Sequence, residues 1–121
     1  MALAEKTYAG GCQCGRVRYE AQVDLDQPVI SCNCSMCGRS GTLLTFIPKA
    51  QFKLLSGDDQ LSDYVFNKHV IHHKFCASCG IKSFALGNGR DGADTVAINA
   101  RCLDGVDLEA LKVNKFDGKS R

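Results

Sequence analysis

The 121-residue sequence predicts a mainly β fold with little helix, on three observations. Residues 16–23 alternate strictly between polar and apolar side chains. The other apolar residues come in short runs, rich in β-branched and aromatic types and interrupted by turn residues. Seven of the eight cysteines fall into three tight clusters that read as turns.

Taken in order, Arg16 to Val23 is a half-buried strand, with Val17, Tyr19, Ala21 and Val23 on one face and Arg16, Arg18, Glu20 and Gln22 on the other. Leu43 to Ile47 reads as a short buried strand stopped by Pro48. Phe52 to Leu55 is another, followed by a turn at Ser56-Gly57-Asp58-Asp59. Tyr64 to Phe75 reads as one or two strands, and Ile81 to Leu86 and Thr95 to Ile98 as two more. The segment from Gly87 to Gly92 is a loop by composition. It does not open a helix after a strand in the dinucleotide-binding manner, so it has little weight as a phosphate site. Asp107 to Lys112 reads as one short helix. No linker divides the chain, and the length suits a single domain over residues 1–121.

The formal charge of +2 is too mild to argue for nucleic acid. Lys112, Lys115, Lys119 and Arg121 crowd the end of the chain, as charged tails often do. No apolar run is long enough for a membrane span, and Met1 to Gly10 lacks the apolar segment of a secretion signal. These features point to a cytoplasmic protein, where clustered cysteines argue for metal or catalysis rather than disulfides.

The order is Cys12-x-Cys14, then Cys32-x-Cys34-x-x-Cys37, then Cys76-x-x-Cys79, with Cys102 alone. Such spacing lets neighbouring thiolates converge on one zinc ion at bonds of about 2.3 Å. Gly15, Gly38 and Gly80 each follow the last cysteine of a cluster, where glycine lets the backbone fold back so that its N–H groups face the sulfurs. Counting ligands suggests two zinc ions per chain. Cys12, Cys14, Cys76 and Cys79 would form a closed, structural site. Cys32, Cys34 and Cys37 would form a three-ligand site with a position left for water or substrate. Spacing also allows a ribbon-like site of Cys34, Cys37, Cys76 and Cys79.

These residues resemble the glutathione-dependent formaldehyde-activating enzyme family, which also includes centromere protein V. The matching segments are Gly11-Cys12-Gln13-Cys14-Gly15 with Val17-Arg18-Tyr19, Cys32-Asn33-Cys34-Ser35-Met36-Cys37, and Phe75-Cys76-Ala77-Ser78-Cys79-Gly80 before Ser83-Phe84. Shorter likenesses lie at Phe52 to Gly57, Tyr64 to Asn67 and Asn99 to Asp104. The resemblance implies a β-tent fold of short antiparallel sheets stapled by zinc. It implies a structural zinc on Cys12, Cys14, Cys76 and Cys79, and a catalytic zinc on Cys32, Cys34 and Cys37. The implied activity joins glutathione to formaldehyde as S-hydroxymethylglutathione, formally a carbon–sulfur lyase. The rival reading is a non-catalytic, zinc-stapled interaction domain resembling centromere protein V.

In the enzyme reading the three cysteines are ligands, not nucleophiles. The nucleophile is a small-molecule thiol, glutathione or another, which zinc holds as thiolate for addition to an aldehyde. Glutathione is anionic, and Arg39, two residues after Cys37, is the first candidate to meet it; Lys49 and Arg101 are weaker ones. On an extended strand His69 and His73 share a face while His72 points the other way. An ordinary strand histidine is the better reading for each than a fourth ligand or an acid–base group. Cys102 reads as a buried free thiol.

Overall fold

The computed structural model describes residues 5–65, 71–88 and 94–117. Its elements run β1 (Glu5–Gly11), β2 (Arg18–Asp24), β3 (Val29–Cys32), α1 (Ser35–Ser40), β4 (Leu44–Pro48), β5 (Phe52–Ser56), β6 (Leu61–Tyr64), β7 (His72–Cys76), β8 (Lys82–Asn88), β9 (Asp94–Asn99) and β10 (Val113–Phe116). The strands form two sheets, a three-stranded one in the order β1-β2-β5 and a seven-stranded one in the order β10-β3-β4-β9-β8-β7-β6. Every pairing is antiparallel except β10 with β3, which is parallel. The fold is mainly β, as the sequence predicts.

The core lies between the sheets. The alternation of β2 is realised in full: Val17 and Tyr19 are 0% exposed and Ala21 and Val23 1%, while Glu20 and Gln22 face solvent. Ile47, Phe84, Val96 and Ile98 of the larger sheet belong to the same cluster. Burying each such side chain stabilises the fold by about 1.5–3 kcal/mol. Tyr19, Phe52 and Phe84 form a ring trio with centroids 4.8–5.8 Å apart. Gly57 sits at φ +92°, and a Cβ there would lie 2.4 Å from the Arg16 carbonyl oxygen. This turn therefore needs glycine twice over, for its backbone and for the close approach.

The outer face of the larger sheet is only partly covered. Register aligns Phe46, Ala97, Ala85 and His73 across it. Phe46 is 55% exposed, whereas Ala85 and His73 are buried. The short buried strand expected at Leu43 to Ile47 is β4, which runs to Pro48 and buries Leu44 and Ile47 while Phe46 faces out. The expected helix at 107–112 is a single 3-10 turn, Leu108–Ala110, which the Asp107 side chain caps. The 87–92 loop is described only at Gly87 and Asn88, which end β8; the rest of it, and His69, lie outside the described residues. No described helix is long and apolar enough to cross a membrane.

β7 carries His72 and His73 to opposite faces. His72 is exposed, with Nδ1 2.7 Å from Asp63 Oδ2. His73 is buried, and burial, reinforced by the charge of Lys82, pulls its pKa down to about 4. A histidine depressed in the folded state binds fewer protons there than when unfolded, so its stabilising effect is complete above about pH 6.5 and is lost as pH falls toward 4. The Asp63 carboxyl, held low mainly by His72, acts only at lower pH. Wild-type stability is expected to fall between pH 6.5 and 4 more steeply than that of His73→Gln in urea denaturation across that window. Parallel curves would contradict this assignment.

Candidate functional site

The two sheets meet at a group of four sulfurs. Cys12 follows β1 and Cys14 lies in the turn after it, both beside the smaller sheet. Cys76 ends β7 and Cys79 lies in the turn before β8, both in the larger sheet. The four Sγ atoms lie within 4.8 Å of one another, with Cys12 to Cys14 at 3.5 Å and Cys14 to Cys76 at 3.6 Å. A disulfide would bring two sulfurs to about 2.05 Å. A tetrahedral ion with bonds of about 2.3 Å spaces its ligands by about 3.8 Å. The donor set therefore fits a closed four-thiolate metal site.

The two halves of this group are alike in backbone. Cys12 N–H donates to the Val17 carbonyl and Cys76 N–H to the Ile81 carbonyl, each at 3.1 Å. Gly15 and Gly80 close the turns at φ +83° and +78°. No atom crowds either position, so backbone conformation alone selects glycine there. Val17 N–H reaches Cys12 Sγ at 3.3 Å and Ser78 N–H reaches Cys76 Sγ at 3.4 Å. Such donors orient thiolate ligands and favour ionisation. The Arg16 N–H and then its guanidinium bring the Cys14 thiol down to about 6, and the Ile81 N–H lowers Cys79. Cys12 and Cys76 are buried and belong to the hydrophobic core itself.

The second group is Cys32, Cys34 and Cys37, whose Sγ atoms also lie within 4.8 Å of one another. Cys32 ends β3, and Cys34 is the N-cap of α1, its sulfur accepting from Cys37 N–H at 3.3 Å. Cys34 N–H in turn reaches Cys32 Sγ at 3.5 Å. Burial opposes ionisation of Cys34, but the Cys37 N–H and the sulfur contacts outweigh it and the thiol is lowered. Burial raises Cys37, and the Thr42 hydroxyl and the Lys82 charge ease that rise. Among the described residues no fourth cysteine, histidine or carboxylate joins this group. The fold thus brings together the four-plus-three arrangement and not the ribbon-like set of Cys34, Cys37, Cys76 and Cys79. Gly38 differs from expectation, because it lies within α1 and the fold-back glycine is Gly41, at φ +71°.

The face of α1 that carries Ser35, Met36, Arg39 and Ser40 lines, with Tyr64 of β6, an open groove of about 450 Å³, and none of the three cysteines is among its lining residues. Arg39 is exposed there, with Nη1 donating to the Ser35 carbonyl at 3.2 Å. Arg101 instead braces the helix end, its Nε donating to the Gly41 carbonyl at 2.9 Å, while Lys49 opens the exposed 3-10 turn after β4. Cys102 stands outside both groups, half-buried, with Sγ 3.7 Å from the Lys82 carbonyl, and burial raises its thiol. The sequence reading assigns no site role to Lys82, Asn99 or Tyr64, although Tyr64 and Asn99 open segments that match the family. A lysine inside the apolar run Ile81-Lys82-Ser83-Phe84-Ala85-Leu86 was the signal that could have found the first.

A crystal structure of a Rhodobacter sphaeroides protein matches this fold with a TM-score of 0.76 at 24% identity, over 88% of this chain and 99% of that one. The family described as glutathione-dependent formaldehyde-activating enzyme matches residues 7–115, a span that holds all seven grouped cysteines. The chain belongs to the glutathione-dependent formaldehyde-activating enzyme family.

Proposed function

We propose that the chain is a single zinc-binding domain, cytoplasmic, with two zinc ions, and that it acts as a carbon–sulfur lyase of the S-hydroxymethylglutathione synthase type. Cys12, Cys14, Cys76 and Cys79 hold the structural ion, and Cys32, Cys34 and Cys37 the catalytic one. The observation that carries this reading is the three-sulfur group with no fourth ligand among the described residues; the helix that bears Cys37 also presents Arg39 to an open groove on its exposed face. Zinc with an open position supplies a Lewis-acid site that keeps a thiol ionised near neutral pH.

The chain's own residues supply the rest. Backbone N–H groups of Cys34 and Cys37 orient the sulfurs. Arg39 offers a cation to a carboxylate of glutathione, and Met36 and Tyr64 give the groove apolar walls. The substrate sulfur attacks the aldehyde carbon and a C–S bond forms. The thiol proton leaves to solvent when the sulfur ionises, the carbonyl electron pair moves to oxygen, which takes a proton back from solvent, and the product is the hemithioacetal S-hydroxymethylglutathione.

Two predictions separate the parts of this reading. Cys76→Ser is expected to lose ordered structure by circular dichroism, because metal-binding energy at the inter-sheet group is folding energy. Cys34→Ser is expected to keep the fold and lose one zinc by elemental analysis. Loss of structure in both variants alike would contradict the division of roles. Secondly, with cobalt replacing zinc, glutathione is expected to change the cobalt–thiolate absorption and S-methylglutathione to leave it unaltered. Arg39→Ala is expected to weaken the response by about 1.5–3 kcal/mol, the worth of a charge-assisted contact. A spectrum blind to millimolar glutathione would contradict the thiol substrate.

A further inference from the structure

The strands that flank the three-cysteine segment hold each other weakly. β3 and β4 pair in register only at Ile30 with Leu44. The chain between Ile30 and Leu44 carries Cys32, Cys34 and Cys37, and its one helix, six residues long, is too short to be stable by itself. Cys32 is fixed by β3, which pairs with β10 from Val29 to Cys32. The place of Cys37 depends instead on how the chain leaves α1.

That exit is tied to the end of β9. The Leu43 carbonyl accepts from Ala100 N–H at 2.7 Å. Leu43 N–H donates to Asn99 Oδ1 at 3.3 Å, and the same oxygen accepts from Arg101 N–H at 3.2 Å. Asn99 Nδ2 donates to the Lys82 carbonyl at 3.0 Å. Arg101 Nε donates to the Gly41 carbonyl at 2.9 Å, and Gly41 N–H donates to the Cys37 carbonyl, also at 2.9 Å. One buried carboxamide and one guanidinium thus connect β8 and β9 to the residue that closes α1, and through it to Cys37. Sheet pairing alone does not call for this. Asn99 already stands opposite Leu44 in register, so β9 would hold β4 without its side chain. Capping the 3-10 turn at Arg101 would need only a short polar side chain and accounts for a single bond. The side chain adds a tie to Leu43, one residue nearer the helix.

We infer that Asn99, with Arg101 as its outer arm, is the positioning residue of the three-cysteine centre: it pins the exit of α1 to the sheet and so sets the spacing of the Cys37 sulfur from those of Cys32 and Cys34. The inference rests on the proposed zinc reading and adds the part of the fold that keeps the site formed. Cys37 needs such a hold more than its neighbours do. Cys32 Sγ accepts from Cys34 N–H and Cys34 Sγ from Cys37 N–H, so local backbone orients both. Cys37 Sγ, buried, is placed by the course of the chain. Three ligands bind one ion well only when all three are held at the right spacing beforehand.

The test uses Asn99→Ala, Arg101→Met and Arg101→Lys in the full chain loaded with cobalt, with Cys34→Ser as the reference that carries the four-cysteine centre alone. Metal retention at each centre is read against a competing chelator. The absorption of the three-cysteine centre is taken as the difference from the reference. Asn99→Ala is expected to weaken metal binding at the three-cysteine centre about 10–100-fold, the usual cost of losing a group that orients metal ligands, and to shift its cobalt–thiolate absorption. Arg101→Met is expected to move both in the same direction and by less. Arg101→Lys is expected to restore most of that loss, since an ammonium can donate to the same carbonyl. The four-cysteine centre is expected to retain metal as in wild type throughout. Should Asn99→Ala fail to fold, the two Arg101 variants decide, because Arg101 is exposed and its loss opens no cavity. Retention and absorption equal to wild type would overturn the inference, and so would equal loss at both centres, which a purely structural role predicts. Either result leaves the zinc reading standing. A wild-type chain that binds cobalt at the four-cysteine centre only would remove the zinc reading of the three cysteines and this inference with it.

Discussion

The structure depends on one junction, where the turn leaving the three-stranded sheet meets the turn between two strands of the seven-stranded sheet. Cys12 and Cys14 come from the first, and Cys76 and Cys79 from the second. Cys12 and Cys76 are also core residues beside Tyr19 and Phe84. Sulfur group and hydrophobic core are therefore one object. Without an ion, four thiols held this close gain little from one another. With one, the turns that close at Gly15 and Gly80 would be tied together by metal coordination, whose binding energy is folding energy. A chain of 121 residues buries a modest core, so such a link carries weight.

The second group is built differently, and the difference has a functional sense. It lies along the chain from the end of β3 into a six-residue helix, and it joins no distant elements by itself. Its backbone donors, N-cap geometry and buried Cys37 set three sulfurs in place and leave the fourth direction without a protein ligand among the described residues. Asn99 and Arg101 brace it from the strand end opposite, one at Leu43 and one at Gly41. A site supported from the side while one direction stays open suits a ligand that comes and goes.

Much of this was legible in the sequence, for physical reasons. The period-2 pattern of Val17, Tyr19, Ala21 and Val23 is a direct image of a sheet with one buried face. The cysteine spacings fix which sulfurs can converge, and only the choice between four-plus-three and a ribbon needed the fold. Other features were not legible. β1 is polar and ends in two glycines, yet it pairs along its whole length with β2; tertiary pairing overrides its weak propensity. α1 has no helical periodicity, since Ser35-Met36-Cys37-Gly38-Arg39-Ser40 is helical because Cys34 caps it and Gly41 ends it. The neighbourhood of Lys82 depends on register between strands far apart in sequence, which no local pattern encodes.

The central claim is that one chain carries two metal centres of unequal character, one closing the fold and one open to substrate. Native mass spectrometry of the protein purified without chelators tests it most directly. The account predicts a single folded charge-state distribution carrying two zinc ions per chain, the first of which is lost to a chelator well before the second. A folded chain that carries one zinc, or two released together, would contradict it.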